Sequence, residues 1–262
     1  MSNIEEIEVV ETSQKRWHWD WLWRIFLRPR QVFDQIAQTE VSTWILPVLF
    51  LTVVSLGVVL ATGPVRTQEL LARPVEPPPD FQYWSPEMQQ EYMENAQPDP
   101  SPALIYVLPA VGAVVKVWLS WVILAALVHL VLTLAGGRGS RVTEFSVVAW
   151  SLMPLAVREL VHLVAVLSTQ HSIQNPGLSG FIQAETGGGA VFLASLLSFV
   201  DLYLVWQVVL LVLGAKRTSG LSTGKTVISV LVAVVLLLVL QALPGFIGAQ
   251  LSGLQTGGFF LF

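Results

Sequence analysis

The sequence contains no cysteine, and only 12% of its 262 residues are charged. The first absence excludes a disulfide scaffold and a thiolate-held metal site. The second excludes an ordinary soluble domain, in which about 25% of residues are charged. Positive charge is not in excess: 14 Lys and Arg stand against 18 Asp and Glu, for a net charge of −4. That balance argues against a general nucleic-acid binder. Histidine is scarce, no His-Glu-x-x-His run exists, and no serine stands beside a credible base. The chain is therefore expected to be non-enzymatic and to need no cofactor. What it has is apolar: 53% hydrophobic residues and ten Trp. These properties predict an all-α, polytopic integral membrane bundle.

A bilayer core of about 30 Å needs about 20 apolar residues at 1.5 Å rise. Five stretches meet that length, at about 43–62, 112–134, 145–167, 190–213 and 226–249. Their continuous Val, Leu and Ala runs exclude a transmembrane barrel, whose strands alternate apolar and polar. Ten of the Lys and Arg fall before the first stretch, between the second and third, or between the fourth and fifth. Only Arg66 and Arg73 fall on the opposite side, and Lys116 and Arg158 fall inside spans. By the positive-inside rule the N-terminus is cytoplasmic and the C-terminus outside. The acidic start is not the basic region of a signal peptide, so the tail is expected to stay attached.

Residues 1–16 read as a disordered cytoplasmic tail, and 251–262 as a short apolar external one. Between 17 and 38 the chain mixes Trp17, Trp19, Trp21 and Trp23 with Arg24, Arg28 and Arg30. Indole rings favour the headgroup zone and arginines meet anionic lipid there. Val32, Phe33 and Ile36 share one face. The segment is expected to be an amphipathic element lying on the membrane, with the lipid bilayer as its partner. The membrane domain proper then occupies 39–250. Its first external loop, 63–102, carries nine prolines and seven acids against two arginines. Within it, Ser85-Pro86-Glu87 predicts a helix start, with Met88 and Tyr92 on one face.

Two motifs fail on inspection. Gly220-Leu-Ser-Thr-Gly224-Lys225-Thr226 has three residues between its glycines where a phosphate-binding loop has four. A transmembrane helix, not a strand, precedes it, so Lys225 reads as an interface anchor. Glu159 and His162 have the spacing of a di-metal element, but no second copy exists and no metal is expected. The informative residues are the charges inside the spans, which cost about 2.5–3.5 kcal/mol each on insertion scales. Lys116 is placed shallow on the second span, with Glu159 and His162 deeper on the third. Arg158 and Asp201 are placed near mid-depth. Trp150, Pro154, Arg158 and His162 share a face, and Ala190, Ala194 and Ser198 lead onto Asp201. The expected pairs are Arg158 with Asp201 and Lys116 with Glu159. Together Lys116, Arg158, Glu159, His162 and Asp201 form a candidate intramembrane polar cluster. His129 is expected to hydrogen-bond a neighbouring helix.

The order of several short motifs resembles the Yip-one domain family of Ypt/Rab-interacting membrane proteins over residues 24–250. They are Arg28-Pro29-Arg30-Gln31-Val32-Phe33-Asp34-Gln35-Ile36, then Phe145 to Trp150-Ser-Leu-Met-Pro154. Asp201-Leu-Tyr203-Leu-Val-Trp206 with Gly214 and Ser222-Thr-Gly-Lys225 complete them. The resemblance implies a five-helix membrane domain with a cytoplasmic N-terminus. The Asp-Leu-Tyr-Gly-Pro signature of eukaryotic members is absent ahead of the first span. The resemblance therefore carries over no GTPase partner and points to the prokaryotic branch and a prokaryotic cell membrane. The expected function is a membrane-organising or scaffold component, joined by a membrane-protein partner or its own copies. The alternative is a small ion, proton or solute transporter working through Arg158, Glu159 and Asp201.

Overall fold

Inside a bilayer no water is at hand to satisfy backbone N–H and C=O groups, so long apolar runs must fold as helices. The computed structural model describes residues 16–39, 41–72, 77–95, 99–182 and 188–255, with side chains as far as 248. Residues 1–15 of the expected tail, Arg73, Glu76 and the end of the chain from 256 lie outside the described residues. The helices are α1 (Trp21–Leu27), α2 (Pro29–Gln38), α3 (Ile45–Leu71), α4 (Pro86–Asn95) and α5 (Leu108–Leu134). They continue as α6 (Arg141–Ser151), α7 (Met153–Thr169), α8 (Gly188–Leu197), α9 (Leu202–Thr218) and α10 (Thr223–Gln255). Four stretches are long and apolar enough to cross a membrane alone: α3, Ala103–Leu134, Arg141–Thr169 and Thr223–Gly248. The pair α8 and α9, bent by 63°, makes a fifth if it acts as one span.

Helix bounds depart from the expected ones for local reasons. The first helix does not end at 62 but runs to Leu71, so the start of the expected external loop is helical. Pro64 lies inside it and removes one backbone donor. Side chains nearby bond to backbone carbonyls in that stretch, as the Thr62 hydroxyl does to Val58 O and the Thr67 hydroxyl to Gly63 O. Gly63 leaves room for the Tyr106 ring to lie against the helix. Tyr106 belongs to a π-helical turn, Ala103–Val107, that lengthens the second crossing outward from its expected start at 112. The third crossing is two helices parted at Leu152, because Pro154 cannot continue a hydrogen-bond ladder and sits instead in the first turn of α7. The expected Trp150–Pro154–Arg158 face thus straddles a break. The last helix begins at Thr223 and holds Pro244 in its interior. In the expected external loop, Ser85 caps α4 by accepting from Met88 N at 3.3 Å. The Glu87 carboxyl there is held below its usual range by backbone N–H and by the Ser85 hydroxyl.

The N-terminal segment differs most. It is two short helices, and its apolar face lies on protein. Phe33 is 0% exposed, and Val32 and Ile36 are equally buried, against α6 and α9. Trp21 is 2% exposed, with its ring edge-to-face on Trp150 at 5.5 Å. Phe33 and Val147 can approach α9 closely because residue 214 is glycine; a Cβ there would be driven into both side chains. Asp34 pairs with Arg217 at 3.2 Å, and Arg138 N donates to Ser219 O at 3.1 Å. The three segments that carry the basic excess therefore meet at one end of the bundle. At the other end Ser172 N and its hydroxyl donate to the Glu69 carboxylate, both at 2.5 Å.

Gly214→Val should overpack this seat at a cost of about 1–3 kcal/mol. Trypsin should then cut after Arg30 faster in the detergent-solubilised protein, with the elution profile of the bundle unchanged. An unaltered cleavage rate would mean that Phe33 does not depend on the glycine.

Candidate functional site

The candidate intramembrane cluster is organised by Arg158 on α7. Its Nη1 donates to Asp201 Oδ2 at 3.4 Å, and Nη2 lies 3.5 Å from Glu159 Oε1. Its Nε is buried without an acceptor among the described residues. Asp201 is not mid-helix, as a continuous fourth span would have it. It stands at the break between α8 and α9 in an extended conformation, and its Oδ1 accepts from Leu204 N at 2.8 Å. Aspartate is a favoured N-cap, typically contributing about 0.5–2 kcal/mol. One carboxylate thus caps a helix inside the bundle and meets a guanidinium from the neighbouring crossing.

At the break the Leu197 carbonyl accepts from Val200 N at 3.0 Å, while Val200 O needs a partner from elsewhere in the chain. Leu178 N reaches in from the loop after α7 and donates to Leu197 O and Val200 O, both at 3.0 Å. Gly177, at φ +62°, makes this approach possible, since a Cβ there would meet the carbonyls of Leu197, Ser198 and Val200 within 3.0 Å. The expected small-residue stripe ends with it: Ser198 lies past the end of α8, not on a helix leading to Asp201.

Lys116 and Glu159 are not brought together as an ion pair. Glu159 is held by Arg158, and the Lys116 ammonium lies 6.0 Å from the centroid of the Phe199 ring. Lys116 lies thirteen residues into the helical stretch that begins at Ala103, a rise of about 20 Å at 1.5 Å per residue. Lys116 is itself an exposed residue. His162 lies one turn along α7 from Arg158 and is half-buried.

Arg158, Glu159 and Lys116 line a cavity of ≈ 180 Å³ together with Arg66, Gln207 and Gln241. These last three were not among the expected site residues. Arg66 is drawn in because α3 continues past 62; its Nη1 donates to Val59 O at 3.2 Å and Ile105 O at 3.4 Å. Gln241 Nε2 donates to Ser120 Oγ at 2.8 Å, joining α10 to α5. Gln207 is 3% exposed and makes no hydrogen bond to another described residue. A second polar contact lies toward the basic end. His129 reaches the neighbouring helix, where its Nδ1 meets Glu144 Oε2 at 2.5 Å. Glu144, 2% exposed, sits in the first turn of α6 behind the cap Ser140. The sequence signal for it was the spacing of a Ser cap and a first-turn acid.

Of the expected interface anchors, Trp17, Trp19 and Trp23 are exposed, the first two with stacked rings 6.4 Å apart. Trp21 is in the protein core instead. Arg24 pairs with Asp20 at 2.9 Å, while Arg28 and Arg30 are exposed.

These helices and their apolar lengths define a multi-pass membrane protein. The Yip1 domain matches residues 23–243, and the chain belongs to that family. No curated protein and no solved structure matches it.

Breaking a buried ion pair by removing one partner typically costs about 3–5 kcal/mol, whereas removing both is close to neutral. Arg158→Met or Asp201→Leu alone should lower the amount of folded protein in membranes. The double variant should recover part of the loss, since couplings inside membranes run smaller, about 0.6 kcal/mol on average. The check is a double-mutant cycle on thermal stability in detergent; strictly additive losses would show that the two side chains do not interact.

Proposed function

We propose that the chain is a non-enzymatic membrane-organising protein whose cytoplasmic face is a preassembled platform for a protein partner or a second copy. The observation that carries this reading is the docking of α1 and α2 on the bundle. Their inner face is committed to Phe33 over Gly214 and Trp21 on Trp150. The outer face of α1 still displays Trp23 at 68% exposure and Leu27, with Trp19 exposed just ahead of the helix. An apolar outer face on a fixed support binds with less ordering entropy than a free tail would. The placing of this face in the cytoplasm rests on the ten-to-two distribution of basic residues. The lack of the eukaryotic signature leaves GTPase binding outside the proposal and supports a prokaryotic cell membrane as its location.

A second reading, transport, draws on a different observation. The fourth crossing is discontinuous, and its break carries a charged pair beside a polar cavity. Broken helices of this kind occur at the binding sites of secondary transporters.

A photo-reactive amino acid at position 23 separates the two. In native membranes the platform reading expects a discrete protein adduct that disappears with Gly214→Val. Adducts with lipid alone would refute the platform as a protein-binding face. In proteoliposomes the same reading expects no proton or ion flux; flux that is lost on Asp201→Asn would establish the transport reading in its place.

A further inference from the structure

Among the described residues the cavity wall carries three cationic side chains, Arg66, Lys116 and Arg158, against one carboxylate, Glu159, which lies 3.5 Å from Arg158. Arg66 is engaged by the carbonyls of Val59 and Ile105. Three donors are left over: the Lys116 ammonium, the buried Nε of Arg158 and the amide of Gln207. Unsatisfied polar groups at membrane depth are costly, and a lone ammonium there more so. Such a wall calls for an acceptor carrying negative charge.

The surroundings say how that acceptor arrives. A second, mainly apolar cavity of ≈ 370 Å³ adjoins the first and shares Lys116, Ser120, Phe199, Leu237 and Gln241 with it. It lies between α5 and α10, and is bordered by Leu119 and Leu240, both exposed on the outer surface of the bundle. Lys116 stands where the two meet, with its ammonium near the ring of Phe199. The chamber that holds the charged side chains thus leads sideways into a slot on the surface that faces lipid, lined mostly by Leu119, Ile123, Phe199, Leu237, Leu240 and Pro244. Pro244 lines the slot, on a helix whose ladder it interrupts.

The geometry points to a binding site for an anionic amphiphile, with a compact phosphate or carboxylate head in the chamber and its hydrocarbon chain in the slot between α5 and α10. Lys116 supplies the charge that meets the head, and Gln207 supplies an amide donor from the far wall. Ser120 and Gln241, bonded to each other at 2.8 Å, mark the threshold between the polar and apolar parts. The site takes its ligand from within the membrane, because the slot and not the bundle end carries the apolar lining. It stands independently of the platform at the cytoplasmic face, from which no residue is drawn.

The test uses the full chain in a neutral detergent with three probes: dodecyl phosphate, dodecanol and inorganic phosphate. Dodecyl phosphate should raise the melting temperature and bind at least about tenfold more tightly than either of the others, as expected when both head and tail contribute. Lys116→Met should weaken that binding about tenfold or more, while Lys116→Arg keeps it and Lys225→Met leaves it unchanged. Should Lys116→Met not fold, Leu240→Trp, which fills the slot from its lipid-facing rim, should remove dodecyl phosphate binding from a folded protein. Dodecanol binding as tightly would reduce the site to an apolar slot and overturn the proposal. Inorganic phosphate binding as tightly would overturn the amphiphile. Binding of none of the three would mean that the chamber holds water only, and the proposal fails.

Discussion

The structure depends on one constraint: a polar group inside a bilayer must find its partner within the protein. The constraint is sharpest at Arg158. A lone guanidinium at that depth would be expensive, and it is met by Asp201 from α9 and Glu159 from its own helix. Because Asp201 also caps α9, the chain can break there with Leu204 N still paired. The 17 residues of α9 rise only about 26 Å, short of a ~30 Å core, so a crossing here needs α8 as well. The bend in turn exposes the Val200 carbonyl, to which Leu178 N donates. Charge, cap, bend and loop are links of one chain of necessity.

The same logic explains what each end of the bundle does. Between α5 and α10 the protein offers Gln241 to Ser120 as a neutral partner, but leaves Lys116 with only an aromatic face. At the basic end His129 and Glu144 satisfy each other away from water. The surface pair of Asp34 and Arg217 adds little stability, roughly 0–1 kcal/mol. What holds the N-terminal helices is burial of Trp21, Ile25, Phe33 and Ile36. Membership of the Yip1 domain family covers this whole assembly, from within α1 to Leu243 on α10.

Much of the fold was legible because hydropathy reports span length directly. Arg158 and Asp201 stood out for the same reason, as charges within apolar runs. Breaks were not legible. Ser198-Phe199-Val200-Asp201 contains neither proline nor glycine, the usual marks of a helix break, so no such residue signals the 63° bend. Arg66 was placed in a loop because the first apolar stretch was ended at 62, whereas the helix runs on through Pro64 to Leu71. Gln207 and Gln241 are neutral and drop out of any charge count, although they line the same cavity. The stripe Val32, Phe33 and Ile36 was visible, but an apolar stripe does not say whether lipid or protein covers it. Only the fit of Phe33 over Gly214 decides that.

The crossing of the broken fourth span is the central claim, and the absence of native cysteine makes it directly measurable. Ser172 precedes α8 and Arg217 lies in the last turn of α9. Single cysteines at 172 and 217 can be probed in intact cells with a membrane-impermeant maleimide. The account predicts that Ser172→Cys is labelled from outside and Arg217→Cys only after the membrane is permeabilised. Labelling of both from the same side would show that α8 and α9 turn back as a re-entrant pair, and would contradict a fifth crossing.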